Sequence, residues 1–443
     1  METRRKFLQT TAAAAIVSPT VRGANDRVQM GVIGTGTRGM QVWGGFSQHA
    51  DCVFAAACDV DKTRLGAAVE KIGGKVEAYG DYRRILERKD IDAVLITTPD
   101  HWHSPMMVEA CAAGKDVYVE KPVSNTLPAA LKMVEAAQKS KRIVQVGCQQ
   151  RSWPHFQECV KMIKDGLLGD VTHAVLAYAG GYTRVQQPPE PPPATLDWEM
   201  WQGPAARRAY SPSRRGWRAF YAYGGGLVTD WGVHLTDIAH MALGCDTKGP
   251  SLTSAAAQFV NVPRDNEQVP DSFICSWQYD KFVMSFTNIS PPGEGFSTSG
   301  NYFYSPRGVM LLNRSGYRIT PSASRGGGGR GPGGAAGARG AAGAGRGPAS
   351  AAQGGRAPTG AGGPPAAPPI EAKEFRSTGR GAAGADEGTV YHTRNFLDCI
   401  KSRQKPNCEM EIGFYSTLPC LIALLAIQQG RSFAWDGKTA KAV

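Results

Sequence analysis

The sequence predicts a two-domain α/β protein, in which a doubly wound parallel sheet precedes an α+β domain with a large, mostly antiparallel sheet. Short apolar runs alternate with helical segments between residues 28 and 146, as in parallel sheets covered by helices. Between residues 254 and 313, strand-like segments follow one another without long helices, which is typical of antiparallel sheets. The 443 residues, 42% of them apolar, suffice for two to three domains.

The first domain is expected to cover residues 25–150. Its apolar runs predict strands at residues 28–33, 53–58, 93–97, 116–120 and 143–146. Between them, helices are predicted at residues 40–49, 81–89, 104–113 and 128–140. In a doubly wound sheet, ligand-binding residues gather beyond the carboxyl ends of the strands. The residues that follow each strand are therefore the candidates for a binding site.

A glycine-rich loop follows the first predicted strand and leads into a helix. Gly34 allows a tight turn, Gly36 lets a pyrophosphate approach the backbone, and Gly39 lets the helix pack closely on the strand. The amino terminus of the helix, next to Thr37 and Arg38, carries a positive partial charge toward the phosphates. With strands on both sides, this loop predicts a dinucleotide-binding Rossmann domain.

An acidic residue ends the second predicted strand. Asp59 lies 25 residues after Gly34, close to the offset at which a carboxylate bonds the adenosine ribose. A carboxylate at this place repels a 2′-phosphate. The predicted cofactor is therefore NAD, and NADP is less favoured.

Two polar segments follow the third and fourth of these strands. The first begins with Thr98-Pro99 and the second is Glu120-Lys121-Pro122. Because the carboxyl ends of parallel strands meet at one edge of the sheet, both segments are predicted to contact the cofactor. The cofactor-binding residues expected there are Thr98, Pro99, His103, Glu120 and Lys121.

In these motifs the chain resembles the Gfo/Idh/MocA family of oxidoreductases. The matching segments are residues 34–39, Thr98-Pro99 with His103, residues 112–115, residues 120–122 and residues 225–237. The resemblance covers residues 28–315 and resumes near residue 389. It implies a Rossmann domain followed by an α+β domain, NAD(P)-dependent chemistry on CH–OH groups, and oligomer contacts through the open face of the second sheet.

The resemblance also implies catalytic roles for three residues. Lys121 would lie beside the nicotinamide, and the Asp-x-x-x-His pair Asp230 and His234 would supply acid–base chemistry. The sequence supports this placement independently, because residues 227–243 predict one helix on which positions 230 and 234 share a face. A neutral imidazole there could take a hydroxyl proton, and a nearby carboxylate would orient it. The structural alternative is an acid at a helix start and a satisfied core histidine.

The same helix face raises the question of a metal site. Asp237 extends the polar face formed by Asp230 and His234, and the three side chains suggest a divalent ion. A closed site needs four ligands, and the sequence offers no convincing fourth. No metal is therefore predicted.

An aromatic, proline-rich segment precedes that helix, at residues 180–226. Its aromatic side chains lie among arginines, which is compatible with a nucleic-acid surface, with packing of a long ordered loop, or with the wall of a carbohydrate pocket. The position just before the helix favours the pocket, where ring faces stack on sugars and arginines bond hydroxyls. The predicted substrate-binding residues are Arg151, Trp217, Tyr223, Asp230 and His234. No nucleic-acid partner is predicted.

The second domain is expected to cover residues 151–321 and 387–443. It begins with a predicted helix at 153–168 and a strand at 171–178, and ends with helices at 389–402 and 414–429. Its sheet is predicted from strands at residues 254–260, 272–279, 282–289, 302–304 and 308–313. The apolar run at 418–427 is too short to span a bilayer, so a core helix and no stable membrane span are predicted.

The net charge of +12 is unevenly distributed along the chain. Residues 1–24 carry +3, and the paired Arg4 and Arg5 before a short apolar run resemble a twin-arginine export signal. Residues 322–369 carry +5 without any acid, and the glycine-rich stretch at 322–386 predicts a disordered insertion. The +4 that remains for the rest of the chain weakens a nucleic-acid interpretation.

The ten cysteines include no Cys-x-x-Cys pair, so buried free thiols are predicted. This agrees with folding in a reducing cytosol before export. The predicted location is periplasmic or otherwise extracytoplasmic.

These observations predict an enzyme that moves a hydride between NAD and a secondary alcohol of a sugar, cyclitol or glycoside. Because no free NAD pool is expected outside the cytoplasm, the cofactor would be tightly bound. The alternatives are redox-neutral cleavage or transfer of glycosides through transient oxidation, and a catalytically silent sugar-binding protein. The predicted partners are a small-molecule carbohydrate and further copies of the chain, as a dimer or tetramer.

Overall fold

A computed structural model describes residues 27–265, 267–289, 298–322, 370–378 and 384–443. The predicted export signal at residues 1–24 lies outside the described residues. The first domain alternates strands and helices, as predicted. Its strands are β1 (Val28–Ile33), β2 (Cys52–Cys58), β3 (Glu77–Tyr79), β4 (Ala93–Ile96), β5 (Asp116–Val119) and β6 (Val144–Val146). Its helices are α1 (Thr37–Phe46), α2 (Lys62–Ile72), α3 (Arg83–Glu87), α4 (Asp100–Ala112) and α5 (Leu127–Ser140).

The six strands form one parallel sheet in the order β3-β2-β1-β4-β5-β6. Strands β2 and β3 lie on one side of β1, and β4 to β6 lie on its other side. The loops that follow β1 and β4 therefore lead away in opposite directions and leave a crevice between them. Ile33 pairs with Ile96, and Ile96 pairs with Val119. The glycine loop and the two polar segments therefore start at the same edge of the sheet.

The second domain is built on a ten-stranded sheet, in the order β14-β13-β12-β11-β7-β10-β9-β8-β15-β16. Its strands are β7 (His173–Ala177), β8 (Leu252–Gln258), β9 (Ser272–Gln278), β10 (Val283–Thr287), β11 (Gly300–Ser305), β12 (Gly308–Asn313), β13 (Gly316–Pro321), β14 (Lys373–Arg376), β15 (Phe433–Trp435) and β16 (Ala440–Ala442). Its helices are α6 (Pro154–Lys164), α7 (Trp198–Gln202), α8 (Gly226–Asp230), α9 (Gly232–Leu243), α10 (Glu387–Ser402) and α11 (Met410–Gln429). The β7–β10 pair is parallel and the other neighbours are antiparallel, which confirms the predicted fold class.

The two faces of this second sheet differ in what covers them. Helix α11 packs on the inner face, where the indole N–H of Trp277 donates to the carbonyl oxygen of Pro419 at 2.9 Å. By length and apolar composition α11 could cross a membrane, but 78% of its most apolar window is buried, as predicted for a core helix. The outer face exposes apolar side chains, among them Ile274 and Val283, which are 52% and 41% exposed.

Helix α10 packs on the first domain, whereas the sequence predicts that residues 387–443 belong to the second. The ring of Phe396 meets those of Phe46 and Tyr118 edge-on, at centroid distances of 6.0 and 5.8 Å. Arg394 pairs with Asp51 at 2.7 Å between Nη1 and Oδ1. The helix completes the core on one side of the Rossmann sheet, so the structure corrects this part of the predicted domain division.

Strand β14 lies inside the segment 322–386 that the sequence predicts to be a disordered insertion. It pairs with β13, and the ring of Phe375 stacks on that of Tyr317 at a centroid distance of 5.5 Å. The strand therefore belongs to the second sheet, which corrects the prediction for residues 373–376. Most of the remaining insertion lies outside the described residues.

The predicted helix at residues 227–243 is divided into α8 and α9 at Trp231. The ammonium group of Lys121 donates to the carbonyl oxygen of Asp230 at 2.6 Å. This bond competes for an acceptor that would otherwise serve the helical ladder, which is one recognised cause of a helix break. The indole of Trp231 stacks on Tyr178 at a centroid distance of 3.7 Å.

The cysteines are distributed as the sequence predicts. All ten are free, and nine of them are buried, with Cys52 half-buried. The prediction of buried free thiols is therefore confirmed.

Candidate active site

A cavity of about 510 Å³ lies between the two domains, at the carboxyl edge of the parallel sheet. It brings together most of the residues singled out from the sequence. The predicted residues that line it are Gly34, Gly36, Thr37, Arg38, Asp59, Thr98, Pro99, His103, Glu120, Lys121, Trp217, Asp230 and His234. Gly39, Arg151 and Tyr223 do not line it.

The glycine loop has the conformation that a phosphate-binding turn requires. Gly34 has a φ of +90°, a region that favours glycine. A Cβ atom at Gly39 would collide with the carbonyl oxygen of Gly34, so Gly39 acts by close packing behind the loop. A Cβ at Gly36 would meet nothing nearer than Nη1 of Arg64 at 3.4 Å. The backbone at Gly36 is therefore open to a ligand, and the loop fits a pyrophosphate.

Arg38 links the glycine loop to the segment after β5. Its Nε lies 3.0 Å from Oε1 of Glu120. Its Nη2 is buried and has no hydrogen-bond partner in the part of the chain that the structure describes. A buried donor without a partner is costly, and an oxygen atom of a bound dinucleotide would satisfy it. The residues around Arg38 therefore fit the predicted cofactor.

Asp59 lies at the end of β2, where the sequence places the carboxylate that bonds the ribose. Its Oδ2 accepts a hydrogen bond from the backbone N–H of Thr35 at 2.8 Å, and its Oδ1 accepts one from Asp61 at 2.9 Å. These bonds fix the carboxylate against the glycine loop, with lone pairs left for a ribose hydroxyl.

The aromatic segment (residues 180–226) of the second domain closes one side of the cavity. The backbone N–H of Lys62 donates to Thr195 and that of Asp197 donates to Val60, both at 2.9 Å. Nη2 of Arg215 lies 2.8 Å from Oδ2 of Asp61. These contacts join the segment to the end of β2 and the start of α2, over the side of the cavity that holds Asp59.

Lys121 and Asp230 meet at the other end of the cavity. Nζ of Lys121 lies 2.7 Å from Oδ1 of Asp230, and Nε of Arg218 lies 3.1 Å from the same oxygen. The hydroxyl of Tyr182 donates to Oδ2 at 2.5 Å. Burial opposes ionisation, but the Lys121 and Arg218 charges and these hydrogen bonds hold the pKa of Asp230 well below its ordinary value. Asp230 is therefore an ionised acceptor.

His234 faces the same region as a neutral base. Burial, followed by the positive charges of Lys121 and Arg314, holds the pKa of His234 well below its ordinary value. Its Nδ1 is buried and has no hydrogen-bond partner among the described residues. The Asp230 carboxylate accepts its hydrogen bonds from Lys121 and Tyr182, so the expectation that it orients the imidazole is not met.

His103 connects the two polar segments rather than pointing freely into the cavity. Its Nδ1 lies 2.7 Å from the carbonyl oxygen of Pro122, and its Nε2 lies 2.9 Å from that of Thr98. Burial lowers the pKa of His103 to about 4, so the neutral ring has a single N–H and donates to one of these two carbonyl oxygens. The contact holds the Glu120–Pro122 segment against the Thr98 turn.

Two of the five predicted substrate-binding residues, Arg151 and Tyr223, lie outside the cavity lining. Arg151 is buried and pairs with two carboxylates: its Nε lies 2.6 Å from Oδ1 of Asp237, and its Nη2 lies 2.5 Å from Oδ1 of Asp246. Tyr223 is fully buried and packs on Trp201 at a centroid distance of 4.8 Å. Arg151 therefore takes its partners from the fold itself, and the Tyr223 ring belongs to an aromatic cluster beside the cavity. Trp217 does line the cavity.

Some functional candidates were missed from the sequence. Tyr182 and Arg218, both in the aromatic segment, contact Asp230. Arg314, in the turn between β12 and β13, places its guanidinium carbon 4.6 Å from the ring centroid of Trp231. The signal for Arg218 was its place beside Trp217 in an arginine-rich aromatic run. No sequence pattern marks Tyr182 or Arg314, because three-dimensional folding alone brings them to the cavity.

One cluster outside the cavity has the composition of a metal site. Cys148, Asp237 and Cys408 place their ligand atoms within 4.8 Å of one another. Arg151 already pairs with the Asp237 carboxylate, and Ser416 donates to the same oxygen at 2.6 Å. The guanidinium supplies the positive charge there, so the cluster is accounted for by the fold.

Comparison with curated proteins finds relatives that share part of the chain. A "Glycosyl hydrolase family 109 protein 2" of Shewanella sp. is 34% identical over 164 residues. A "Glycosyl hydrolase family 109 protein" of Shewanella baltica is 30% identical over 165 residues. Each match covers 34% of this chain and 35% of the relative, so about a third of the relatives' length is matched.

Solved structures share the fold over nearly the whole chain. An oxidoreductase from Agrobacterium radiobacter, in complex with NAD+, L-tartaric acid and magnesium, has a TM-score of 0.62 and 14% identity, covering 92% of this chain and 98% of its own. Aldose-aldose oxidoreductase from Caulobacter crescentus has a TM-score of 0.61 and 17% identity, covering 92% of this chain and 100% of its own. Levoglucosan dehydrogenase in complex with NADH and levoglucosan has a TM-score of 0.62 and 16% identity, covering 92% of this chain and 98% of its own. At these identities the likeness establishes the fold.

Family models match both domains. Residues 28–148 match the "Oxidoreductase family, NAD-binding Rossmann fold" and residues 155–291 match the "Oxidoreductase family, C-terminal alpha/beta domain". Together they cover more than half of the chain. The protein therefore belongs to the Gfo/Idh/MocA family of oxidoreductases, whose cofactor at this glycine loop is NAD.

Proposed function

We propose that the protein oxidises a secondary alcohol of a sugar, cyclitol or glycoside with NAD that stays bound. The observation that carries this proposal is the contact of Lys121 with Asp230, at 2.7 Å, beside a neutral His234 in the cavity. An ammonium, an ionised carboxylate and a neutral imidazole around one position suit proton removal from a hydroxyl group. Bound NAD+ supplies the hydride acceptor.

The cavity residues would have different roles in the proposed oxidation. Lys121 would donate a hydrogen bond to the reacting hydroxyl oxygen and stabilise its developing negative charge. Asp230, held by Tyr182 and Arg218, keeps the Lys121 side chain in place. His234 has an unpartnered ring nitrogen and would accept a proton from the substrate. Trp217 and Arg218 both line the cavity, with the guanidinium 4.2 Å from the ring centroid, and together they would form the wall that a sugar contacts.

Tight retention of NAD is supported by the way the aromatic segment covers the cavity. Two backbone hydrogen bonds and the ion pair between Arg215 and Asp61 close the segment onto the first domain. These bonds must break before a dinucleotide could leave on that side. A retained cofactor would have to be regenerated within each catalytic cycle.

A second candidate function is redox-neutral cleavage or transfer of glycosides through transient oxidation. It is favoured by the relatives named glycosyl hydrolase family 109, at 34% and 30% identity. This candidate uses the same oxidation as its first step and then returns the hydride. It needs one further group that protonates the departing oxygen.

A carbohydrate screen tests the proposal. Purified protein is mixed with free sugars and with p-nitrophenyl glycosides, with and without added NAD, while products and nicotinamide absorbance are followed. We expect oxidation or cleavage without added NAD, and a loss of about 10²-fold to 10⁴-fold in His234→Ala and Lys121→Ala. Lys132→Ala, an exposed change on α5, serves as the matched control.

The screen also has outcomes that contradict the proposal. Unchanged turnover in both active-site variants would overturn the catalytic assignment. Bound NAD without turnover of any carbohydrate would instead favour the catalytically silent sugar-binding protein. Protein that purifies free of dinucleotide and exchanges NAD rapidly would contradict a retained cofactor.

We also propose that the chain is exported by the twin-arginine route. The support is the Arg4-Arg5 pair before a short apolar run, together with ten free cysteines that suit folding in the cytosol. Cell fractionation tests this, because Arg4→Lys with Arg5→Lys would keep the protein in the cytoplasm.

A further inference from the structure

One arginine that lines the cavity has no acidic partner. Arg314 belongs to the turn between β12 and β13 of the second domain. Its Nε donates to Oε1 of Gln150 at 3.2 Å, and Arg314 forms no other hydrogen bond with a described residue. The remaining N–H groups of its guanidinium are therefore available to a ligand.

The other arginines around the cavity are each paired with a carboxylate of the protein. These ion pairs are Arg38–Glu120, Arg64–Asp61, Arg215–Asp61 and Arg218–Asp230. By contrast, no carboxylate oxygen of a described residue lies within 4.0 Å of an Arg314 nitrogen. Arg314 is thus a cavity-facing cation whose counter-ion does not come from the part of the fold that the structure describes.

The carboxylate that acts most strongly on Arg314 from a distance is Asp386, which is bonded elsewhere. Its Oδ1 accepts from the backbone N–H of Thr389 at 2.7 Å, and its Oδ2 accepts from Nε2 of Gln149 at 3.3 Å. Burial outweighs the attraction of Asp386 and holds the pKa of Arg314 below its ordinary value. A guanidinium stays charged despite this shift, so the site contains a desolvated positive charge that a bound anion would stabilise.

The side chains near Arg314 add no spare negative charge. Lys121 and Arg218 both pair with one oxygen of a single carboxylate, Asp230. Burial raises the pKa of Asp100 well above its ordinary value, which favours the uncharged acid there. Positive charge is therefore in excess at this end of the cavity.

Arg314 is held close to the residues proposed to act on the substrate. Its guanidinium carbon lies 4.6 Å from the ring centroid of Trp231, and that centroid lies 5.7 Å from the centroid of the His234 ring. All three residues belong to the second domain, whereas the glycine loop that fits the pyrophosphate belongs to the first. This placement favours the substrate, rather than the dinucleotide, as the source of the anion.

We propose that the substrate is a sugar acid whose carboxylate binds the Arg314 guanidinium. This rests on the proposed oxidation and narrows its substrate class to uronic acids, their glycosides and aldonic acids. A planar guanidinium can donate two parallel hydrogen bonds to a carboxylate, which also supplies the missing negative charge. A neutral sugar hydroxyl would accept a hydrogen bond but leave the charge uncompensated.

The test compares sugars that differ only in carrying a carboxylate. Glucuronic acid is paired with glucose and galacturonic acid with galactose, each also as the methyl glycoside. Affinity is measured by isothermal titration calorimetry on protein with its NAD bound, and kcat/KM is measured from nicotinamide absorbance. For the better stereoisomer, we expect the wild type to bind the acid about 10-fold to 100-fold more tightly than the neutral sugar.

Variants of Arg314 connect this preference to the guanidinium. In Arg314→Gln the preference for the acid should fall to about threefold or less, mainly through a higher KM for the acid. Arg314→Lys keeps the charge but loses the two parallel donors, so it should retain part of the preference, and it decides the matter if Arg314→Gln does not fold. Arg431→Gln, an exposed arginine-to-amide change after α11, should retain the wild-type preference.

The readouts separate failure of this inference from failure of the proposed function. Equal affinity of the wild type for acids and neutral sugars would overturn the role of Arg314, while reduction of nicotinamide by neutral sugars would leave the oxidation standing. Tighter binding of hexose 6-phosphates than of hexuronic acids would overturn the choice of a carboxylate. Loss of bound NAD from both Arg314 variants would assign the guanidinium to the cofactor instead. Sugar acids that bind through Arg314 without reducing nicotinamide would support the site and contradict the proposed oxidation.

Discussion

At the residue scale, the Asp230 carboxylate is held from two directions. Nζ of Lys121 lies 2.7 Å from one oxygen, and the Tyr182 hydroxyl donates to the other at 2.5 Å. Burial favours the protonated acid, so its pKa stays below the ordinary value only because these partners and Arg218 outweigh burial. The charge on which the proposed hydroxyl activation depends is therefore set by the surrounding donors.

Replacing Tyr182 by Phe tests this balance. The lost hydrogen bond favoured the ionised carboxylate, so the pKa of Asp230 should rise. Because a hydrogen bond contributes about 1 kcal/mol, the charges of Lys121 and Arg218 still keep the carboxylate ionised at neutral pH. We therefore expect kcat/KM at pH 7 to fall by about fivefold or less. Tyr304→Phe, on the outer sheet face, is the control. A loss of about 100-fold or more would contradict this account, because it would require a direct catalytic role for Tyr182.

Site residues that belong to a local motif could be predicted from the sequence, and those recruited across the fold could not. Lys121 and His234 stand at strand-end and helix positions that a sequence pattern marks. Tyr182 comes from an irregular segment and reaches Asp230 only after folding. Arg151 shows the converse, because a buried structural arginine and a sugar-binding one look alike until the partner, Asp237, is seen.

At the element scale, the aromatic segment closes the cavity through contacts with one turn of the first domain. Asp61 caps α2 by accepting from the backbone N–H groups of Thr63 and Arg64, and also pairs with Arg215. One carboxylate thus anchors a helix start and the covering segment together. Movement of the segment would have to break a bond to that helix cap.

The Arg215→Ala variant tests whether this contact retains the cofactor. The ion pair is partly exposed and contributes about 1 kcal/mol or less, so NAD should dissociate up to about fivefold faster. The rate is measured from the loss of bound dinucleotide after dilution into NAD-free buffer. Arg207→Ala removes a more exposed ion pair in the same segment and should leave the rate unchanged. Equal rates in all three proteins would show that the segment does not hold NAD.

The predicted strands of the parallel sheet are confirmed because buried strands need continuous apolar runs. Helix α2 and the short strand β3 were not predicted, since their alternation is weak and α2 has few buried side chains. The break at Trp231 escaped prediction because its cause, Lys121, is distant in sequence. Strand β14 is exposed throughout and three of its four residues are charged, so it lacks the buried apolar pattern that predicts a strand.

At the scale of the whole molecule, the outer face of the second sheet is the surface that the resemblance assigns to oligomer contacts. Ile274 in β9 and Val283 in β10 are 52% and 41% exposed there. Thr287 of β10 pairs with Ile274, and Val283 lies four residues before Thr287 on the same strand. The side chains of Ile274 and Val283 therefore lie on one face of the sheet. Apolar groups on a broad, flat face favour burial against a second copy of the chain.

Light scattering with size-exclusion chromatography tests this arrangement. Wild-type protein should have the mass of a dimer or tetramer, and Ile274→Asp with Val283→Asp should reduce it toward 47.3 kDa, because burying carboxylates at the contact is costly. Val185→Asp, at an 86% exposed position off the sheet, should keep the wild-type mass. A monomeric wild-type protein would contradict the proposed oligomer.

The return of α10 to the first domain sets the order in which the protein can mature on the ribosome. Phe46, at the end of α1 in the Rossmann domain, meets Phe396, a residue translated 350 positions later. The nascent nucleotide-binding domain must wait with one side of its core uncovered until nearly the whole polypeptide has emerged. The cavity is likewise complete only after the second domain has been synthesised, because Asp230, His234 and Arg314 line it.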